Sequence, residues 1–137
     1  MTKTKDPFTI KITLRHPFYS PESISKALSL KPELSHAVGK AVAKVPAKWS
    51  LFHACLQKGN YASEVERALD RVVLFLEKHE TFWTDFAHEN GEVELVLNHT
   101  ICSGEKGYKC LKLYLAPDFL RHLSSRGIGL EIQGWMR

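Results

Sequence analysis

Residues Ser63–Asn90 read SEVERALDRVVLFLEKHETFWTDFAHEN, the longest stretch of the chain with a single period. Val65, Ala68, Leu69, Val72, Val73, Leu76, Phe82, Trp83, Phe86 and Ala87 recur at steps of three and four, while Glu64, Arg67, Asp70, Arg71, Glu77, Lys78 and Asp85 fall largely between them. That spacing lays an apolar stripe along one side of an α-helix and wets the other. Ser63 and Glu66 have the spacing of a capping box, in which each side chain satisfies a first-turn N–H, so the helix is expected to open at Ser63. Asn90-Gly91 is expected to close it, since both types tolerate left-handed backbone. At about 1.5 Å per residue the helix would run roughly 40 Å, so it either crosses a whole sheet or bends near Thr81. Phe82, Trp83 and Phe86 then belong to the core beneath the sheet.

On the N-terminal side of this helix, Phe8 to Arg15 alternates apolar and polar residues, the period of a strand with one buried face. Ser20-Pro21-Glu22 opens a short helix, with Ser20 as cap and Pro21 at the tolerated first position, and Pro32 is expected to stop it. Leu34 to Lys48 reads two ways. A helix would carry His36, Lys40, Lys44 and Lys48 as a basic stripe, but Gly39 and the valines fit a structured loop equally well. Trp49 to Leu56 reads as a strand closed by a Lys58-Gly59-Asn60 turn.

On the C-terminal side, Val93, Leu95, Leu97, His99 and Ile101 share one face of a strand, and Leu111, Leu113 and Leu115 share one face of the next. A hairpin about Lys106 would pair Leu97 with Leu115, His99 with Leu113, and Cys102 with Cys110. Ala116-Pro117-Asp118 starts a short helix ending at Gly127, and Ile128 to Trp135 forms a last strand. The expectation is one α+β domain over residues 1–137, with residues 1–6 flexible. Its order is β-α-β-α-β-β-α-β, with a mostly antiparallel five-stranded sheet, helices on one face and a distantly ferredoxin-like arrangement.

A chain of 137 residues can bury a core without disulfides or metal. Three cysteines, an odd number, fit a reducing compartment, and no apolar run suggests a signal peptide or a span, so a cytoplasmic location with no membrane partner is expected. The net charge of +4 permits an anionic partner, but acids are interspersed with the bases almost everywhere.

The strand and Pro-Glu helix start over Leu14–Leu28, the Leu28–Pro32 turn, Trp49-Ser50-Leu51, and the run Leu115–Leu120 with Leu123 and Gly127–Ile132 resemble the bacterial domain of unknown function 4279 family. The resemblance covers nearly the whole chain and implies a compact α+β domain. It brings no catalytic residues to carry over, and the alanine- and valine-rich Ala37–Val45 departs from the basic, polar segment of that family.

Catalytic chemistry finds no motif in the sequence: neither a nucleophile elbow nor a phosphate loop occurs, and Gly104-Glu105-Lys106-Gly107 is only a turn. Cys55 is expected as a small buried hydrophobe. Cys102 and Cys110 could face each other as a redox pair, though two free thiols suit a reducing compartment better. Asp85, His88 and Glu89, or His99 with the hairpin cysteines, match no metal-ligand spacing, and His99 is expected in the core. No cofactor or metal is implied, and the chain is not expected to be an enzyme. The surface worth testing is the sheet's second face with the basic segment: Lys11, Arg15, Lys40, Lys44, Lys48, Lys112, Tyr114 and Trp135. The expected function is a binding module for another protein or a second copy, in the manner of bacterial immunity proteins. The alternative is a nucleic-acid-binding domain, with Tyr114 and Trp135 stacking bases and the lysines holding phosphates.

Overall fold

A computed structural model describes residues 6–42, 44–101 and 114–136. Strand β1 (Phe8–His16) runs through the middle of a five-stranded sheet. Its alternation is realised: Phe8, Ile10, Ile12 and Leu14 are buried, and the residues between them face the other way. Helix α1 (Pro21–Leu28) follows, with the Ser20 hydroxyl accepting from the Ser23 N–H at 3.1 Å. It ends earlier than Pro32 would require, because Ser29 turns left-handed at φ 53° and its N–H reaches the Ser25 carbonyl.

The ambiguous segment is neither a helix nor a plain loop. Strand β2 (Leu34–His36) pairs with the sheet's edge, and β3 (Ala41–Val42) with β4 (Val45–Pro46) forms a small antiparallel hairpin of its own. Alternating valines with Pro46 suit extended backbone better than a helix, where β-branching restricts the side chain. The expected basic stripe of a helix is therefore absent. Strand β5 (Ser50–Gly59) then pairs with β1 along its length, with a bulge between Ile10 and Lys11.

The long periodic stretch divides in two. A single 3-10 turn (Ala62–Glu64) leads into α2 (Val65–Lys78), and α3 (Glu80–His88) follows after a break at His79. The expected capping box does not form, since neither start has a side-chain cap and the Glu64 N–H bonds the Tyr61 carbonyl instead. The break has a specific cause. The Leu76 carbonyl accepts from the His79 N–H at 3.2 Å and from the buried Trp83 indole N–H at 2.9 Å. A continuous helix would offer that carbonyl to the next turn, so the indole takes the bond that would have carried the helix on. At the far end, Asn90 adopts φ 71° and the Gly91 N–H returns to the Phe86 carbonyl at 2.8 Å, the left-handed closure expected of this pair.

Strand β6 (Glu92–Ile101), helix α4 (Pro117–Ser124) and strand β7 (Ile128–Met136) complete the chain. The sheet order is β2-β5-β1-β6-β7, antiparallel except for the parallel pair β6–β7. This corrects the expected hairpin. Leu97 lies between Ile10 of β1 and Ile132 of β7, and His99 between Phe8 and Gly134, so both edges of β6 are occupied where Leu115 and Leu113 were expected. Parallel strands need a crossover, and the chain between β6 and β7, including α4, supplies it. Among the described residues the fifth strand is thus β2. Tyr114 and Leu115 lie in neither helix nor strand, while Lys106, Cys102, Cys110 and the rest of that hairpin lie outside the described residues.

The helices lie on one side of the sheet, and one core joins them to it. Val65, Ala68, Leu69, Val72 and Leu76 of α2 are buried in one cluster with Phe8, Ile10, Ile12, Leu14, Phe52, Leu95 and Leu97. An isolated helix of α2's length is marginal in water, so this stripe, at about 1.5–3 kcal/mol per fully buried large side chain, is what holds it. Trp83 and Phe86 of α3 are buried and Phe82 half-buried, as core residues. Among the described residues no helix is long and apolar enough to cross a membrane.

Candidate functional site

The face of the sheet opposite the helices is built by the alternate residues of the same strands. On β1 these are Thr9, Lys11, Thr13 and Arg15, flanked by Leu51, His53 and Cys55 of β5 and by Glu92, Glu94, Val96 and Asn98 of β6. Beyond β6, Glu131 and Gln133 of β7 stand in register with Val96 and Asn98. Among the described residues no helix covers this face.

Its polar groups pair with one another. Lys11 Nζ donates to Glu33 at 2.8 Å, which holds the Glu33 carboxyl below its ordinary pKa. Thr13 Oγ1 and His53 Nδ1 are 2.7 Å apart. Burial lowers the His53 pKa, and the Lys11 charge adds to that, against the opposing pull of Glu33. His53 is therefore neutral near pH 7. Cys55, expected to be buried in the core, instead lies half-exposed on this face. Even partial burial pushes its thiol up, helped by Glu33, and a thiol so placed is a poor nucleophile at neutral pH. On the other half, Glu94 shares a hydrogen bond with Glu131, which raises the Glu94 pKa, and Gln133 Nε2 donates to Glu131 at 3.1 Å. Arg15 lines a shallow cleft with Thr13, Glu92 and Glu94.

Among the described residues, those chosen from sequence do not come together. Lys11 and Arg15 are on the open face, but Lys11 is ion-paired and Arg15 stands beside two glutamates. Lys40 and Lys44 are exposed on the β3–β4 hairpin, Lys48 is exposed just after it, and all three continue past the end of the sheet. Tyr114 is 78% exposed but on no strand, so it is not the stacking residue of a sheet platform. Trp135 stands in register with Thr100 on β7, and Lys112 lies outside the described residues.

The residues that structure the face were missed. His53 and Cys55 were legible in principle: once Phe52 and Ala54 are inward, alternation turns their neighbours outward. Glu33 and the Glu94–Glu131 pair carried no such signal, because both depend on which strands are adjacent. Elsewhere His99 is buried, as expected, and Glu89 accepts from the Tyr19 hydroxyl at 2.9 Å. Among the described residues, no three His, Cys, Asp or Glu side chains gather to hold a metal ion.

The fold and this face define an α+β domain with a five-stranded sheet covered by helices on one side only. No family model, curated protein or solved structure matches the chain.

Proposed function

We propose that this chain is a non-enzymatic binding module that engages another protein, or a second copy of itself, through the helix-free face of its sheet. The supporting observation is the pairing pattern there. Its charges are of both signs, with Lys11 paired to Glu33 and Arg15 beside Glu92 and Glu94, around the neutral centre of Thr13, Val96 and Asn98, with Leu34 at the rim 59% exposed. Interfaces between proteins have this mixed character, whereas a phosphate backbone selects unpaired cations of one sign. The resemblance to the bacterial domain of unknown function 4279 family implies a compact α+β domain, and antagonism of a partner in the manner of immunity proteins is a role drawn from size and class alone.

Nucleic-acid binding is the second reading. It is favoured by the segment from Leu34 to Trp49, which carries Lys40, Lys44 and Lys48 and no acid. Two measurements separate the readings. Sedimentation equilibrium of the wild type and of Thr13→Arg with Val96→Arg tests self-association through the face. Fluorescence titration with mixed oligonucleotides at rising salt tests the lysines. Self-association lost in the double variant supports the first reading. A monomer that binds oligonucleotides with steep salt dependence, lost in Lys40→Glu with Lys44→Glu, overturns it.

A further inference from the structure

At the end of the sheet away from the β3–β4 hairpin, the last residues of β5 and the first of β1 meet the start of α2. Phe8 pairs with Gly59, and a Cβ at Gly59 would stand 2.4 Å from the Phe8 ring, so glycine is what lets that ring lie across the neighbouring strand. The ring contributes to the floor of a cleft of about 310 Å³. Its walls carry Lys58 from β5, Ser63 and Glu64 from the 3-10 turn, and Arg67 and Arg71 from α2.

Arg67 and Arg71, four residues apart, share one side of α2, a like-charge spacing that works against the helix unless an anion answers it. Among the described residues, neither arginine nor Lys58 forms an ion pair, which leaves three cations around one cleft with Glu64 as the one carboxylate lining it. This contrasts with the open face, where Lys11 has Glu33, and with the α3–α4 junction, where Arg126 has Glu80. The positive end of the α2 dipole adds the same sign.

We propose that this cleft is a binding site for a phosphoryl group, free or carried on a small ester, and separate from the protein-binding face. Two guanidinium forks match the oxygens of a phosphate geometrically, Lys58 supplies a point charge, and the Ser63 hydroxyl can donate to a further oxygen. A dianion answers three cations better than a carboxylate would.

The test is calorimetric titration of the full chain with inorganic phosphate and, separately, adenosine monophosphate at low ionic strength. Saturable one-to-one binding is expected, weakened about tenfold or more in Arg67→Gln with Arg71→Gln and unchanged in the charge-matched Lys26→Gln with Lys31→Gln, whose lysines are exposed on and just after α1. The arginines are exposed, so the variant should melt like the wild type. Tighter binding of the nucleotide would assign the site to an ester, and tighter binding of inorganic phosphate to the free ion. Absence of saturable binding of either anion overturns the proposal, as does equal weakening by both double variants, which would report net charge alone. Neither result bears on the sheet face, whose variants lie elsewhere.

Discussion

Strand β1 contributes equally to both faces of the sheet, yet the two faces are different materials. Ile10, Ile12 and Leu14 are at most 1% exposed and belong to the apolar core, whereas Lys11 and Thr13, one residue along, are half-exposed and paired with Glu33 and His53. The helix side holds its partners by area and the open side by geometry. Stability should therefore depend on the first, and recognition largely on groups that the helices do not cover. Substitutions on each side put that division to the test.

The largest effect belongs to the covered side. Leu76 is fully buried between α2 and the sheet, and Leu76→Ala is expected to cost about 2–5 kcal/mol in denaturant unfolding. Thr13→Ala, which removes one hydrogen bond on the open side, should cost about 0.5–1.5 kcal/mol. Equal losses would mean that the open face is as much a core as the other. Next comes Trp83, whose indole N–H holds the Leu76 carbonyl at the α2–α3 break. Trp83→Phe keeps a ring but leaves that buried carbonyl one donor short, and a loss of about 1–3 kcal/mol is expected. If the variant melts like the wild type, the indole does not set the break.

That break marks where the sequence stopped being legible. Period and composition sufficed for β1, for α1 with its Ser20 cap, for the closure at Asn90 and for the inward face of β6, because each depends on residues close in sequence. The division at His79 depends on an indole reaching back seven residues to a carbonyl, and no spacing announces it. The hairpin that would have paired Leu97 with Leu115 failed for a related reason: alternation reports which face a residue takes but not which strand lies beside it. Leu97 shows the right face and has Ile132 as its neighbour. The candidate surface fared worse than the fold. Lys11 and Arg15 were placed on the right face, but the acids beside them, Glu33, Glu92 and Glu94, come from other strands or the edge, and the hairpin lysines leave the sheet altogether.

His16 lies at the boundary of the comparison, fully buried at the end of β1. Its Nδ1 accepts from the Phe18 and Tyr19 backbone N–H groups at 3.1 Å, and its ring stacks on Tyr19. Protonation would set a third N–H against those two donors, and burial lowers the His16 pKa, with Glu89 pulling the other way. The native state thus binds this proton less readily than the unfolded chain. The stability it contributes is fully present above the unfolded pKa of about 6.5 and is lost as pH falls from there through the lowered native value. The slope is at most about 1.4 kcal/mol per pH unit for one proton. His16→Asn, which keeps an acceptor and does not titrate, should flatten the unfolding profile below neutrality. An unchanged profile would move the pH response to His53 and His79, whose values burial also lowers.

The smallest effect is the most informative about the open face. Lys11 and Glu33 form an ion pair whose side chains are 27% and 45% exposed, and pairs in that setting contribute about 0.2–1 kcal/mol and weaken with salt. Lys11→Met should therefore cost less than about 1 kcal/mol, and the loss should shrink as salt rises. The acid limb gives a second reading. Because Lys11 holds Glu33 below its ordinary pKa, the pair stabilises the fold above the unfolded carboxylate value, and that contribution disappears as pH falls through the native one. Lys11→Met should make stability less steep across that acidic range while leaving it unchanged at still lower pH, where Glu33 is protonated in both states. A salt-insensitive loss of more than about 2 kcal/mol would place Lys11 in a packing role, through its buried stem. The open face would then be a second structural layer, and its pairing pattern would no longer argue for a partner.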